Sequence, residues 1–201
     1  MKRLRIVGIG DSTTAGTPGF LSPLEAPPKG RGNPESQYAY WIMRSYPQWT
    51  VLNRGINGQR SDQILSRFGK DVLQEKPDYV IVLAGVNDVY QGRSQESIRK
   101  NLRSMYEMAL DERIPAVAAT ILPYDRMSSS EGKAIRQLNL WIKETAQELK
   151  IQFCDTNRVV ANPTDAERLR GSPDGLHPDI SGYRAMGEAL AKVIEGHAFP
   201  L

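Results

Sequence analysis

Two kinds of hydrophobic pattern alternate along the chain: short runs that are almost wholly apolar, and longer stretches in which apolar residues return every three or four positions. The first kind marks strands buried on both faces of a parallel sheet; the second marks helices that lay one face on it. Leu4 to Gly10, Thr50 to Asn53, Asp78 to Ala84, Pro115 to Leu122 and Ile151 to Asp155 read as strands. Ser36 to Tyr46, with Tyr40, Trp41 and Ile42 and a stop at Pro47, reads as a helix. Ser61 is the expected N-cap of a short helix through Leu65 and Phe68. Ser94 to Leu110 places Ile98, Leu102, Met105 and Ala109 on one face. Ser128 to Glu131 matches a capping box, opening a helix that buries Ile135, Leu138, Ile142 and Leu149. After a loop region reaching Pro178, a last helix turns Tyr183, Met186, Leu190 and Val193 inward.

This order predicts an α/β fold with three α/β/α layers, flavodoxin-like, around a central five-stranded parallel sheet. At 201 residues the length predicts a single domain over 1–201. One stretch departs from the short connections of such folds. Thr17 to Glu35 is dense in proline and glycine and far exceeds the ~2–6 residues usual between strand and helix. It is expected to be a loop at the rim of the site, its Phe20, Leu21 and Leu24 either walling a pocket or tucking it onto the surface.

Composition narrows the function. The net charge of +3 comes from 26 basic and 23 acidic residues spread along the chain, which is no footprint for nucleic acid. The single cysteine, Cys154, reads as a small buried strand residue. Met1-Lys2-Arg3 imitates the start of a signal peptide, yet the apolar stretch behind it is short and interrupted by Asp11, and no stretch is long enough for a membrane span. A soluble, cytoplasmic protein is expected. A homo-oligomer is compatible with the sequence, which does not set the oligomeric state. No Cys/His cluster has metal-ligand spacing, so neither a metal nor another cofactor is expected.

In doubly wound folds the site lies beyond the C-terminal ends of the strands, where Ser12, Gly58 and Asn87 follow the first three strands. Gly10 permits a bend that lets the next residues leave the sheet and present the Ser12 hydroxyl. Asp11, Ser12, Thr13 and Thr14 are equally the letters of a helix cap. Only two histidines exist to act as base: His197 sits close to the chain end, whereas His177 occupies Asp174-Gly175-Leu176-His177-Pro178 before the last helix. A carboxylate three residues before an imidazole is suited to bond Nδ1–H and stabilise the imidazolium, although a purely local turn would use the same residues.

Four segments together, Gly10-Asp11-Ser12, Gly58 within Asn53 to Gly58, Gly85-Val86-Asn87-Asp88 and Asp174 to His177, resemble the four blocks of the SGNH, or GDSL, hydrolases. The resemblance implies Ser12 as nucleophile, His177 as general base and acid, Asp174 as its orienter, and an oxyanion hole from the Ser12 N–H, the Gly58 N–H and the Asn87 amide. Asp11, Asn53 and Asp88 are left as structural residues bonding loop backbone. The implied activity is a metal-independent serine esterase on small-molecule esters, including acetylated sugars. The alternatives are a lysophospholipase or thioesterase acting on longer acyl groups, and a flavodoxin-like phosphate- or nucleotide-binding domain using Gly10 to Gly19. Against the last, the turn lacks a Lys-Ser/Thr ending, and no Gly-x-Gly-x-x-Gly follows a strand.

Overall fold

The computed structural model describes residues 3–16 and 33–198. Most of the expected long loop, with Phe20, Leu21 and Leu24, lies outside the described residues. Its end at Pro34–Ser36 is a turn of 3₁₀ helix leading into the first long helix.

Five strands form one parallel sheet: β1 (Arg5–Gly10), β2 (Thr50–Gly55), β3 (Tyr79–Leu83), β4 (Ala116–Ala119) and β5 (Gln152–Cys154). Their spatial order is β2-β1-β3-β4-β5, the order of flavodoxin-like folds. Side chains alternate across it with period two. Val7, Ile9, Val80, Val82, Ala116 and Ala118 face one core. Ile6, Tyr79, Ile81, Leu83, Val117 and Ala119 face the other. Because both faces are buried, the strands read as continuous apolar runs.

The helices divide between these faces. On the first lie α3 (Ser61–Ser66), α4 (Phe68–Asp71), α6 (Gln95–Asp111) and α7 (Ser129–Leu149), represented in that core by Ile64, Phe68, Leu102 and Leu138. On the second lie α2 (Tyr38–Ser45), α8 (Thr156–Val160) and α9 (Ile180–Ala198), with Ile42, Val160 and Met186. Two very short helices start at strand ends, α1 (Ser12–Ala15) after β1 and α5 (Val86–Tyr90) after β3. No helix among the described residues is long and apolar enough to cross a membrane.

Several expectations are corrected. Arg60, not Ser61, is the N-cap of α3; Ser61 is helical, and both its N–H and Oγ–H donate to Asp88. The buried Asp88 carboxylate takes both Ser61 donors and holds the serine inside the first turn. The stretch after β5 is not all loop: it holds α8 and a small hairpin, β6 (Ala161–Asn162) with β7 (Asp165–Leu169). The alternation in β7 is weak because its first four residues are exposed. In α9, Val193 packs partly buried against the core, and Ile194 beside it is fully buried. The capping box at Ser128 and Glu131 and the buried Cys154 stand as expected.

The turn from β1 into α1 is the tightest place in the fold. Gly10 does not need an unusual φ: a Cβ there would stand 2.3 Å from the Leu83 carbonyl oxygen and from Thr14 Oγ1, so the residue is small because β3 and α1 press on it. Gly55 is similar, with the Ala15 backbone nitrogen 2.1 Å from where its Cβ would be. Asn53 ties the same elements together, its Nδ2 donating to the Thr14 carbonyl at 2.8 Å and its Oδ1 accepting from Gly55 N–H at 2.9 Å. Asp11 caps α1 by accepting the Thr13 N–H at 2.9 Å and is only 1% exposed. Burial pushes its carboxyl up to about 6, against the Thr13 hydrogen bond and the nearby His177, which favour the charged form.

Two outcomes follow for stability. Gly55→Ala forces α1 off β2 and is expected to cost about 1–3 kcal/mol, whereas Gly69→Ala, in α4 with open space around it, should add ~0.5 kcal/mol; urea unfolding of both variants checks the contrast. The Asp11 carboxyl keeps its proton in the fold to about pH 6 but releases it near 3.8 when unfolded, so its burial costs the fold nothing below about pH 4 and progressively more up to about pH 6. Asp11→Asn should therefore match the parent relative to its own baseline at pH 3.5 and gain roughly 2–3 kcal/mol on it by pH 7.5. A pH-independent difference in urea midpoint would contradict the assignment.

Candidate active site

Ser12 is the first residue of α1, so its backbone N–H has no intrahelical acceptor and stays at the open edge of the sheet. The β1/β3 junction above which it sits is the point where strand order reverses, the place at which doubly wound sheets open a crevice. From the far end of the chain, the loop between β7 and α9 brings His177 to it: Nε2 lies 2.8 Å from Ser12 Oγ. The other ring nitrogen, Nδ1, lies 2.7 Å from Asp174 Oδ2. The three residues thus form one hydrogen-bonded line, carboxylate to imidazole to hydroxyl.

Local sequence explains why that loop holds its shape. Asp174 Oδ1 accepts the backbone N–H groups of Leu176 at 2.9 Å and His177 at 2.8 Å, so the carboxylate folds its own turn while its second oxygen meets the ring. Gly175 takes φ +76°, which a side chain would resist. Ser172 Oγ accepts from the Gly175 N–H and donates to the His177 carbonyl at 2.6 Å. The Gly175 carbonyl is held in turn by the Asp125 N–H at 2.8 Å, and Asp179 anchors the start of α9 by accepting from the Gly182 N–H. Partial burial of Asp174 raises its pKa, but the bonds from His177 and from the Leu176 and His177 N–H groups outweigh this and hold it well below the usual carboxylate range.

Gly58 and Asn87 lie in the segments that follow β2 and β3, the two strands flanking β1. Gly58 lies in the turn after β2 with φ +74° and is exposed. The Asn87 side chain, in the first turn of α5, donates from Nδ2 to the carbonyl of Gln59, the residue after Gly58, at 3.0 Å. One of its two amide hydrogens is used there, which orients the other. The Gly58 turn is joined to β1 by the Ile56 N–H, which donates to the Gly10 carbonyl at 3.1 Å. Asp88, only 2% exposed, holds the start of α3 through Ser61, and burial raises its pKa despite those two bonds. Asp11, Asn53 and Asp88 thus bond backbone as expected.

His197 is exposed near the end of α9 and pairs with the Tyr79 hydroxyl at 2.7 Å, at the opposite edge of the sheet from Ser12. A cavity of about 250 Å³ opens between α7 and the ends of β4 and β5, lined by Phe153, Asp155, Arg136 and Glu167 among others. Ser12, His177 and Asp174 do not line it. Its own hydroxyl–carboxylate contact, Thr120 Oγ1 donating to Asp155 Oδ1 at 3.0 Å, has no imidazole in it. Sequence reasoning missed the supports: Asp125, Gln59 and Arg67 each reach a partner remote along the chain, the carbonyl of Gly175, the Asn87 amide and the carbonyl of Gly10, while Ser172 braces its own loop and carries no motif.

Residues 9–185 match the GDSL-like Lipase/Acylhydrolase family. An acetylxylan esterase of Geobacillus stearothermophilus is 25% identical over 159 residues, covering 72% of this chain and 71% of that protein. Among solved structures, a G-D-S-L family protein from Desulfitobacterium hafniense superposes with a TM-score of 0.79 at 29% identity, covering 94% of this chain and 99% of that one. A GDSL-like lipase from Bacteroides thetaiotaomicron gives a TM-score of 0.76 at 25% identity, covering 96% and 88%. A non-enzymatic phosphate- or nucleotide-binding domain is thereby set aside, and the chain belongs to the GDSL-like lipase/acylhydrolase family of ester-hydrolysing enzymes.

Proposed function

We propose that this enzyme hydrolyses carboxylic esters through an acyl-enzyme on Ser12. The observation that carries the reading is the line from Asp174 through His177 to Ser12 Oγ, with both links under 3 Å. In it, His177 Nε2 takes the hydroxyl proton as Oγ attacks the ester carbonyl, and the imidazolium that forms is stabilised by the ionised Asp174. The tetrahedral oxyanion is bound by the N–H groups of Ser12 and Gly58 and by the Asn87 amide. His177 then protonates the leaving alcohol, and a water deprotonated by the same nitrogen releases the acid and regenerates Ser12. Gly58 suits its role because a main-chain N–H without a neighbouring Cβ lets the substrate oxygen approach closely.

For substrate, small acyl groups on carbohydrate alcohols are the first reading, supported by the acetylxylan esterase among the relatives. A longer-acyl reading is favoured by a separate observation: Ile56 and Leu176, next to the Gly58 and His177 segments, are 41% and 48% exposed, offering apolar surface at the mouth. A panel of esters of increasing acyl length separates the two. Falling kcat/KM from acetate to octanoate supports the first; a rise supports the second.

Stoichiometric labelling by a fluorophosphonate, absent from Ser12→Ala, tests the nucleophile; Ser12→Ala should keep its fold and lose on the order of 10⁴-fold or more in kcat. His177→Ala should cost about as much, with Asp174→Ala retaining roughly tenfold more activity, because an orienting carboxylate contributes less than the base. If His197→Ala is the damaging histidine change, the base is misassigned. Asn87→Ala is expected to lower kcat roughly a hundredfold with KM nearly unchanged, since its donor matters most when charge has developed on the oxygen. Steady-state kinetics on one activated ester reads all of these.

A further inference from the structure

Arg67 stands at the junction of α3 and α4 with 12% of its side chain exposed, and its guanidinium reaches three separate pieces of the site edge. Nη2 donates to the carbonyl of Gly10, the residue that ends β1, at 2.9 Å. Nη1 donates to the Arg54 carbonyl near the end of β2 at 2.8 Å, and Nε to the side-chain oxygen of Gln59 at 2.6 Å. Asp71 accepts from Nη1 at 2.7 Å and fixes the fork from behind.

These contacts form a chain through the proposed oxyanion hole. Gly10 leads directly to Asp11 and the Ser12 N–H. Gln59 directly follows Gly58, and its carbonyl accepts from the Asn87 amide. Gly58 itself has φ +74°, is exposed, and has no heavy atom within 4 Å of where a Cβ would be. Its placement therefore depends on ties from outside the turn. A guanidinium is a rigid planar donor array, so bonds to Gly10, Arg54 and Gln59 fix distances between them as a flexible ammonium does not.

Building on the acyl-enzyme reading of the site, we propose that Arg67 is a positioning residue for the reaction: through Gln59 and the Gly10 carbonyl it sets the spacing of the Ser12, Gly58 and Asn87 donors. It touches no substrate. The competing explanation is that the guanidinium only satisfies carbonyls at a helix junction and contributes to stability alone. The two differ in kinetics, because a misplaced oxyanion donor lowers kcat while leaving ground-state binding nearly intact.

The test compares Arg67→Lys and Gln59→Ala with the parent in kcat, KM and urea midpoint, each also combined with Asn87→Ala. Arg67→Lys keeps the charge and the Asp71 partner but loses the fork; it should lower kcat roughly tenfold to a hundredfold with KM within about twofold. Gln59→Ala, which leaves the carbonyl contacts of Arg67 in place, should lower kcat about tenfold and decides the matter if Arg67→Lys does not fold. In the Asn87→Ala background both losses should shrink to about threefold or less, as expected for residues that act through one another. Undiminished kcat in either folded variant, or a loss that persists in full without Asn87, overturns the proposal. Ser12→Ala is assayed alongside: parent-like turnover there would sink the acyl-enzyme reading itself, whereas an inactive Ser12→Ala beside an undiminished Gln59→Ala sinks the positioning role alone.

Discussion

The contact on which the rest of this edge depends is the 2.8 Å approach of His177 Nε2 to Ser12 Oγ, made between residues 165 apart in sequence. Neither side chain is held there by the core. Ser12 is placed by a turn squeezed between β2 and β3, where Gly10 and Gly55 have no room for a Cβ. His177 is placed by a loop whose shape comes from one carboxylate: Asp174 uses one oxygen to fold the backbone and the other to orient the ring. The sheet supplies rigidity and the loops supply direction, a division that suits a site needing geometry good to a fraction of an ångström.

Some of that geometry is held against the preferences of the chain. Asp11 is a buried carboxyl whose pKa is pushed up to about 6, directly before Ser12. Gly58 sits at φ +74° in an exposed turn, and the start of α3 rests on the buried Asp88. Each feature costs stability relative to an apolar or relaxed alternative, and all three cluster in or beside the segments that carry Ser12, Gly58 and Asn87. The wide core on both sheet faces offsets them.

Much of this was legible in the sequence because the signals are local. Buried parallel strands are continuous apolar runs, so β1 and β3 follow from pattern, and their alternation with helices gives the parallel sheet. Four short motifs marked Ser12, Gly58, Asn87 and the Asp174–His177 pair, and the structure brings the outer members into contact. What escaped depends on tertiary competition. Ser61 has the letter of a cap, yet Asp88, remote in sequence, accepts both its donors and holds it within the helix. The hairpin of β6 and β7 is too short and exposed to show an alternation. Arg67 looks like one more surface cation on a short helix, and only the fold reveals that its partners are the carbonyls of Gly10 and Arg54.

The central claim is that acyl transfer passes through Ser12, and mass mapping of the enzyme during turnover tests it most directly. With an activated acetate ester and rapid acid quenching, deacylation becomes the slow step and the intermediate accumulates. One acetyl group per chain on the peptide containing Ser12, formed together with a burst of released alcohol, is the expected result. Acetyl on any other residue, or product release with no covalent adduct in the burst phase, would contradict it.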